Sequence, residues 1–327
     1  MLKFATVALV LLAGLPGVAK AGEGAELVEV RKIWDAAPHN AFTDLIRFRD
    51  RWFCAFREGQ AHVSPDGAIR ILTSIDGVAW ESAARIASPT EDLRDSKLSI
   101  RPDGRLMLLA AAALRPPAVG SHQTYAWSSA DGREWGSAVP VGERDVWLWR
   151  ASWHEGRALA VGYGTGKSQF ARLYSSRDGE AFDVAVPTLF EGGYPNEAGL
   201  TFLPDGTALC LLRRDGGDKQ AQLGRSRPPY TDWTWAGLGR RIGGPALLQV
   251  PDGRIIAGVR LMEPAARTAI CRVDLDANRL VELVALPSGG DTSYPGLVFH
   301  DGLLWVSYYD SREGKAAIYL AKIKLGD

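Results

Sequence analysis

The chain has 327 residues, 46% of them hydrophobic, with 38 basic side chains balanced by 38 acidic ones. That length supports a large buried core, and the absence of net charge excludes bulk attraction to nucleic acid or to an anionic membrane surface. Three cysteines, an odd number, give no disulfide framework, and five histidines without a His-x-x-x-His pair give no sequence-spaced metal site, so neither metal nor cofactor is expected. Cys54, Cys210 and Cys271 lie inside apolar runs and read as buried free thiols.

In chain order, residues 1–21 come first: Lys3, an apolar run over 4–18, then Ala19-Lys20-Ala21. This is the pattern of a secretory signal peptide cut before Gly22, and it predicts an exported protein, periplasmic or extracellular. The run is shorter than the ~20 apolar residues needed to span a bilayer. A strand-like segment over 26–34 follows, and then six tight turns centred on Asp50, Asp103, Glu155, Asp205, Asp252 and Asp301, each joining two apolar runs. A second ruler overlies the first. Ser74-Ile-Asp76-Gly77-Val-Ala-Trp80 recurs at Ser129, at Ser176 with Phe182 in place of Trp, and in divergent form at Ser226, so the serines stand 55, 47 and 50 residues apart.

A period near fifty with units too small to bury their own faces is the signature of a repeat array. Each unit reads as strand, turn, strand, variable loop, strand, Ser-x-Asp-Gly-x-x-Trp turn, strand, and the Asp-Gly pairs supply the positive backbone angles that hairpins need. No helix is predicted. The expectation is an all-β fold, a six-bladed β-propeller of four-stranded antiparallel blades over residues 22–327 as one domain, with edges protected by closure. The sixth unit lacks an outer strand, and residues 26–34 can supply it.

The repeated turns read as structural, because the Asp accepts backbone N–H groups, Gly takes the strained angle and Trp packs. Chemistry is expected on the opposite face, where first strands begin and second strands end. Arg57, Asp95, Trp149, Glu197, Arg213, Arg214, Arg260 and Tyr294 all fall there. Converging guanidinium groups point to an anionic ligand, and a tryptophan beside them can line a sugar pocket.

These repeats resemble those of the sialidase (neuraminidase) superfamily, where the turn is called the Asp-box or bacterial neuraminidase repeat, and the resemblance covers residues 26–327. It implies a glycoside hydrolase that removes a terminal acidic sugar, sialic acid or a related anionic sugar, by a Tyr nucleophile activated by a Glu. By that resemblance Tyr294 is the nucleophile, Glu197 its activator, Asp95 an acidic pocket residue, and Arg57 and Arg213 bind the anion, with Arg214 as the alternative to Arg213. The family's entrance arginines of the first and fifth blades have no counterpart at residues 38–40 or at Gly244-Pro245, where Arg241 or Arg260 stands nearest. Its acid/base Asp is replaced after Arg57 by His62, leaving His62 or Asp95 to supply the proton. The expected partner is an anionic glycan, bound by a monomer. A uronate lyase and a propeller that binds carbohydrate without cleaving it are the alternatives.

Overall fold

The computed structural model describes residues 24–116, 118–166 and 169–326, so the expected signal peptide over 1–21 lies outside the described residues. Among the described residues, twenty-four strands form six antiparallel sheets of four. No helix long and apolar enough to cross a membrane occurs among the described residues.

Blade one shows the plan: His39–Phe48, Arg51–Gly59, Ala68–Ser74 and Glu81–Ile86 run outward in chain order. The first strands of successive blades touch one another all the way round, and that of blade six meets that of blade one, so the ring is closed. The closing blade joins both ends of the chain, in the order Ala25–Trp34, Ala317–Leu325, Leu303–Asp310, Thr292–His300. The expected clasp is therefore present. Six apolar clusters bind the sheets, and all three cysteines are buried as free thiols.

The repeated turns do the structural work assigned to them. Asp131 Oδ1 accepts the N–H groups of Arg133 and Glu134 at 2.8 and 2.9 Å, Gly132 donates to Ser129 Oγ at 2.8 Å, and Trp135 Nε1 donates to the Gly132 carbonyl at 3.2 Å. Gly132 has φ +77°, and a Cβ there would lie 2.3 Å from the Phe53 ring of the preceding blade. The divergent copy keeps the last contact, with Trp233 Nε1 donating to the Tyr230 carbonyl at 3.0 Å.

One irregularity repeats six times and creates the functional face. In every blade the first strand carries one extra residue relative to its partner, two residues after it enters the sheet or close to that point. The unmatched pairs are Phe42-Thr43, Asp95-Ser96, Trp149-Arg150, Asn196-Glu197, Gly244-Pro245 and Tyr294-Pro295. Phe42, Asp95, Gly244 and Tyr294 have φ of 63°, 51°, 55° and 51°. A bulge of this kind re-aims a side chain out of the pleat, and left-handed backbone at a bulky residue persists only where its surroundings enforce it.

Candidate active site

Four of the six bulges present chemistry at the entrance face, and two of them meet. The Tyr294 hydroxyl donates to Glu197 Oε1 at 2.6 Å and accepts from Arg213 Nη1 at 3.1 Å. Glu197 Oε2 is held by Arg213 at 2.8 Å and by the Gly244 N–H at 2.7 Å. Arg213 is held from behind by Asp215 at 2.8 Å. The blade-five bulge accommodates no side chain, since a Cβ on Gly244 would stand 2.8 Å from Tyr294 Cγ. That packing accounts for Gly244-Pro245 at the place where the resemblance leads one to look for an arginine.

Burial pushes the Tyr294 phenol well above its ordinary pKa, and the Glu197 charge adds to the rise while Arg213 and Arg260 oppose it. The phenol therefore stays protonated until a base takes its proton, and Glu197 is in place to do so. Burial works to lower the pKa of Arg213, but the neighbouring Glu197 and Tyr294 outweigh it, so this cation is fixed. Arg260 covers the Tyr294 ring with its Cζ 5.2 Å from the centroid, donates to the Thr292 carbonyl at 2.7 Å and to Tyr309 Oη at 2.6 Å. Trp149 forms the opposite wall, 5.9 Å from Tyr294 between ring centroids, and continues into Trp147, which stacks on Tyr163.

Asp95 is buried, its Oδ1 has no hydrogen-bond partner, and burial raises its pKa. Its charge is felt by both Glu197 and Tyr294. The Nε1 groups of Trp147 and Trp149 are likewise buried without partners. Unpaired buried polar atoms are rare in a finished interior, and their gathering around one ring of tyrosine, tryptophan and carboxylate is what a site built for a polar ligand shows.

The remaining predicted residues stand elsewhere. Arg57 is fully buried, and its donors go to Asp92 at 2.8 Å, to the Ala61 carbonyl at 2.8 Å and to Ser64 at 3.0 Å, so it shapes the loop that carries His62. Arg214 turns away to Asp218 at 2.9 Å and lies over Phe190. His62 sits beyond Phe42, whose ring meets those of His62 and Tyr294 edge-on at 5.1 and 5.0 Å.

Three contributors were given no role from the sequence, although Arg94 and Lys97 stand at the entrance of the second blade beside Asp95. Arg94 stacks over Phe42 at 5.4 Å and lies 4.0 Å from Asp95. Lys97, buried, donates to the Thr43 carbonyl at 3.3 Å and lies 5.0 Å from the Trp149 ring centroid, with a pKa that burial lowers to about 8. Phe42 separates Tyr294 from His62. All three belong to first strands whose bulges cannot be read from residue types. A pocket of about 560 Å³ opens at the other end of the axis among Ile46, Leu248, Val250, Leu297 and Phe299, but no nucleophile or acid lines it.

No protein-family model matches the sequence, and no curated protein matches it. Among solved structures, the chain superposes on a protein of unknown function from Dyadobacter fermentans with a TM-score of 0.81 at 22% identity, over 93% of this chain and all of that one. It superposes on Trypanosoma rangeli sialidase bound to the inhibitor DANA with a TM-score of 0.69 at 10% identity, over 93% of this chain and 58% of the sialidase. The chain carries the sialidase-type six-bladed propeller fold. The same fold serves an α-L-arabinanase from Penicillium chrysogenum complexed with arabinobiose, at a TM-score of 0.70 and 14% identity over 90% of this chain and 98% of that one. The match spans less than two thirds of the length of the sialidase and almost the full length of the arabinanase. Both of these neighbours are glycoside hydrolases.

Proposed function

We propose that the protein is an exported glycoside hydrolase that releases a terminal acidic sugar, sialic acid or a related anionic sugar, through a covalent link to Tyr294. The observation that carries this reading is the 2.6 Å hydrogen bond from the buried Tyr294 hydroxyl to Glu197, made beside Arg213. A phenol at this position attacks an anomeric carbon bearing a carboxylate with less repulsion than a carboxylate nucleophile meets.

In the first half-reaction Tyr294 Oη bonds to the anomeric carbon as the glycosidic C–O bond breaks. Glu197 accepts the phenolic proton, and Asp95, whose pKa burial raises, donates a proton to the departing oxygen. In the second half-reaction Asp95 takes a proton from water, the water oxygen replaces Tyr294 on the anomeric carbon, and Glu197 returns its proton to the phenolate. Arg213 and Arg260, which flank the Tyr294 ring, receive the sugar carboxylate, and Trp149 packs on the ring face.

Labelled sialosides, uronides and neutral glycosides test the substrate class, and a derivative of the cleaved sugar fluorinated on the carbon next to the anomeric one, with a good leaving group, tests the intermediate by adding its mass to the peptide containing Tyr294. Full turnover by Tyr294→Phe sinks the mechanism. A product with new ultraviolet absorbance from a double bond replaces hydrolysis with a lyase reaction, and binding without any product leaves a carbohydrate-binding propeller.

A further inference from the structure

We propose that His39, His62 and Asp291 form a binding site for a divalent transition-metal ion of the zinc class, beside the Tyr294 pocket and separated from it by Phe42. His62 Nδ1 stands 3.3 Å and His39 Nε2 3.6 Å from the same oxygen, Asp291 Oδ2. The three donor atoms all lie within 4.8 Å of one another. Zinc bonds of ~2.0–2.1 Å at tetrahedral angles place ligand atoms ~3.3 Å apart, so a small inward movement of the His62 loop completes the set.

A second observation points to the same place. His39 is 9% exposed, and neither of its ring nitrogens makes a hydrogen bond. A buried imidazole left with two unpaired nitrogens calls for a partner, and Nε2 already faces the shared oxygen. The carboxylate is oriented as metal-binding carboxylates are. Tyr309 donates to Asp291 Oδ1 at 2.6 Å and itself accepts from Arg260 at 2.6 Å, which leaves Oδ2 turned to the histidines.

Two imidazoles and one carboxylate select zinc and its neighbours over calcium or magnesium, which take oxygen ligands. Three protein ligands leave a coordination position open to water or to an oxygen of a bound glycan. The Arg260 guanidinium, 3.5 Å from Asp291 Oδ1, competes for the carboxylate and tunes the affinity downward. Sequence spacing could not reveal this site, because its ligands come from the first strand of blade one, the loop after its second strand, and the entrance to blade six.

The full chain without a histidine tag, stripped with a chelator and titrated with zinc sulfate by calorimetry, is expected to take up one equivalent that survives gel filtration and elemental analysis. Tyr309→Phe is expected to weaken binding about 10-fold, and His62→Ala or Asp291→Asn by more than ~100-fold, beyond the cost of losing an outer partner. His62 is half-exposed, so its variant keeps the fold even if the variant at buried His39 does not. Tyr294→Phe should bind zinc as the parent does. No stoichiometric uptake, or uptake unchanged in His62→Ala and Asp291→Asn, overturns the proposal. A protein that binds zinc but cleaves no glycoside refutes the hydrolase reading alone, and one that cleaves without binding zinc refutes this inference alone.

Discussion

Replacing Lys97 by Met should stabilise the propeller at neutral pH and weaken its activity. The lysine is 4% exposed, with its ammonium against the face of Trp149. Its pKa falls from 10.5 to about 8, which at about 1.4 kcal/mol per pH unit is roughly 3 kcal/mol set against folding when the amine is charged. The 3.3 Å hydrogen bond to the Thr43 carbonyl returns about 1 kcal/mol of that. Met of similar length should therefore gain about 1–2 kcal/mol at pH 7, as when buried charges are exchanged for well-packed apolar groups. The pH dependence is the sharper test. Between about pH 8 and pH 10.5 the unfolded chain still holds the Lys97 proton and the folded chain has shed it, so the parent gains stability as pH rises through this window. Urea unfolding of both proteins from about pH 7 to about pH 9.5 should show the advantage of the Met variant shrinking steadily. An advantage that is independent of pH, or that grows, would refute the reasoning. Activity should fall because Lys97 is one of the cations whose charge acts on Asp95 and Glu197.

Other changes probe the remaining supports. Arg213→Met leaves Glu197 and Asp215 without their shared cation and should cost about 3 kcal/mol in urea unfolding, with loss of calorimetric binding to anionic sugars. If Asp95 is the proton donor, kcat/KM must fall as pH rises through its raised pKa, and Asp95→Asn should remove that alkaline limb along with ~10²–10⁴-fold of the rate. A limb that persists in Asp95→Asn assigns the acid elsewhere. Gly244→Ala forces a side chain into φ +55° and against Tyr294, so thermal unfolding should register a loss of about 1–3 kcal/mol and turnover should drop.

The ring was legible because two independent sequence rulers marked the same interval, and turn chemistry is local: Ser129, Asp131, Gly132 and Trp135 satisfy one another within seven residues. The clasp of Ala25–Trp34 onto Ala317–Leu325 was legible by counting strands. The site was legible only in part. Glu197, Arg213, Arg260, Trp149 and Tyr294 do converge, but strand alternation assumes an unbroken pleat, and each first strand breaks it at the bulge. Arg57 illustrates the cost, since position placed it at a strand exit while its charge serves Asp92. The pairing of His39 with Asp291 was invisible, although both stand at strand entrances in the sequence, because it is a contact between residues near opposite ends of the chain.

The seam that joins the two ends has a consequence for biogenesis. Tyr294 lies on the innermost strand of the sheet whose outermost strand is Ala25–Trp34, so the sheet that carries the phenol is complete only when the earliest segment of the described chain and one of the last have met. A partly assembled molecule with the other five sheets in place would carry Glu197, Arg213 and Arg260 but not the phenol they surround. On the function proposed above, activity would then report completion of the circle, and an unfinished protein would stay chemically silent.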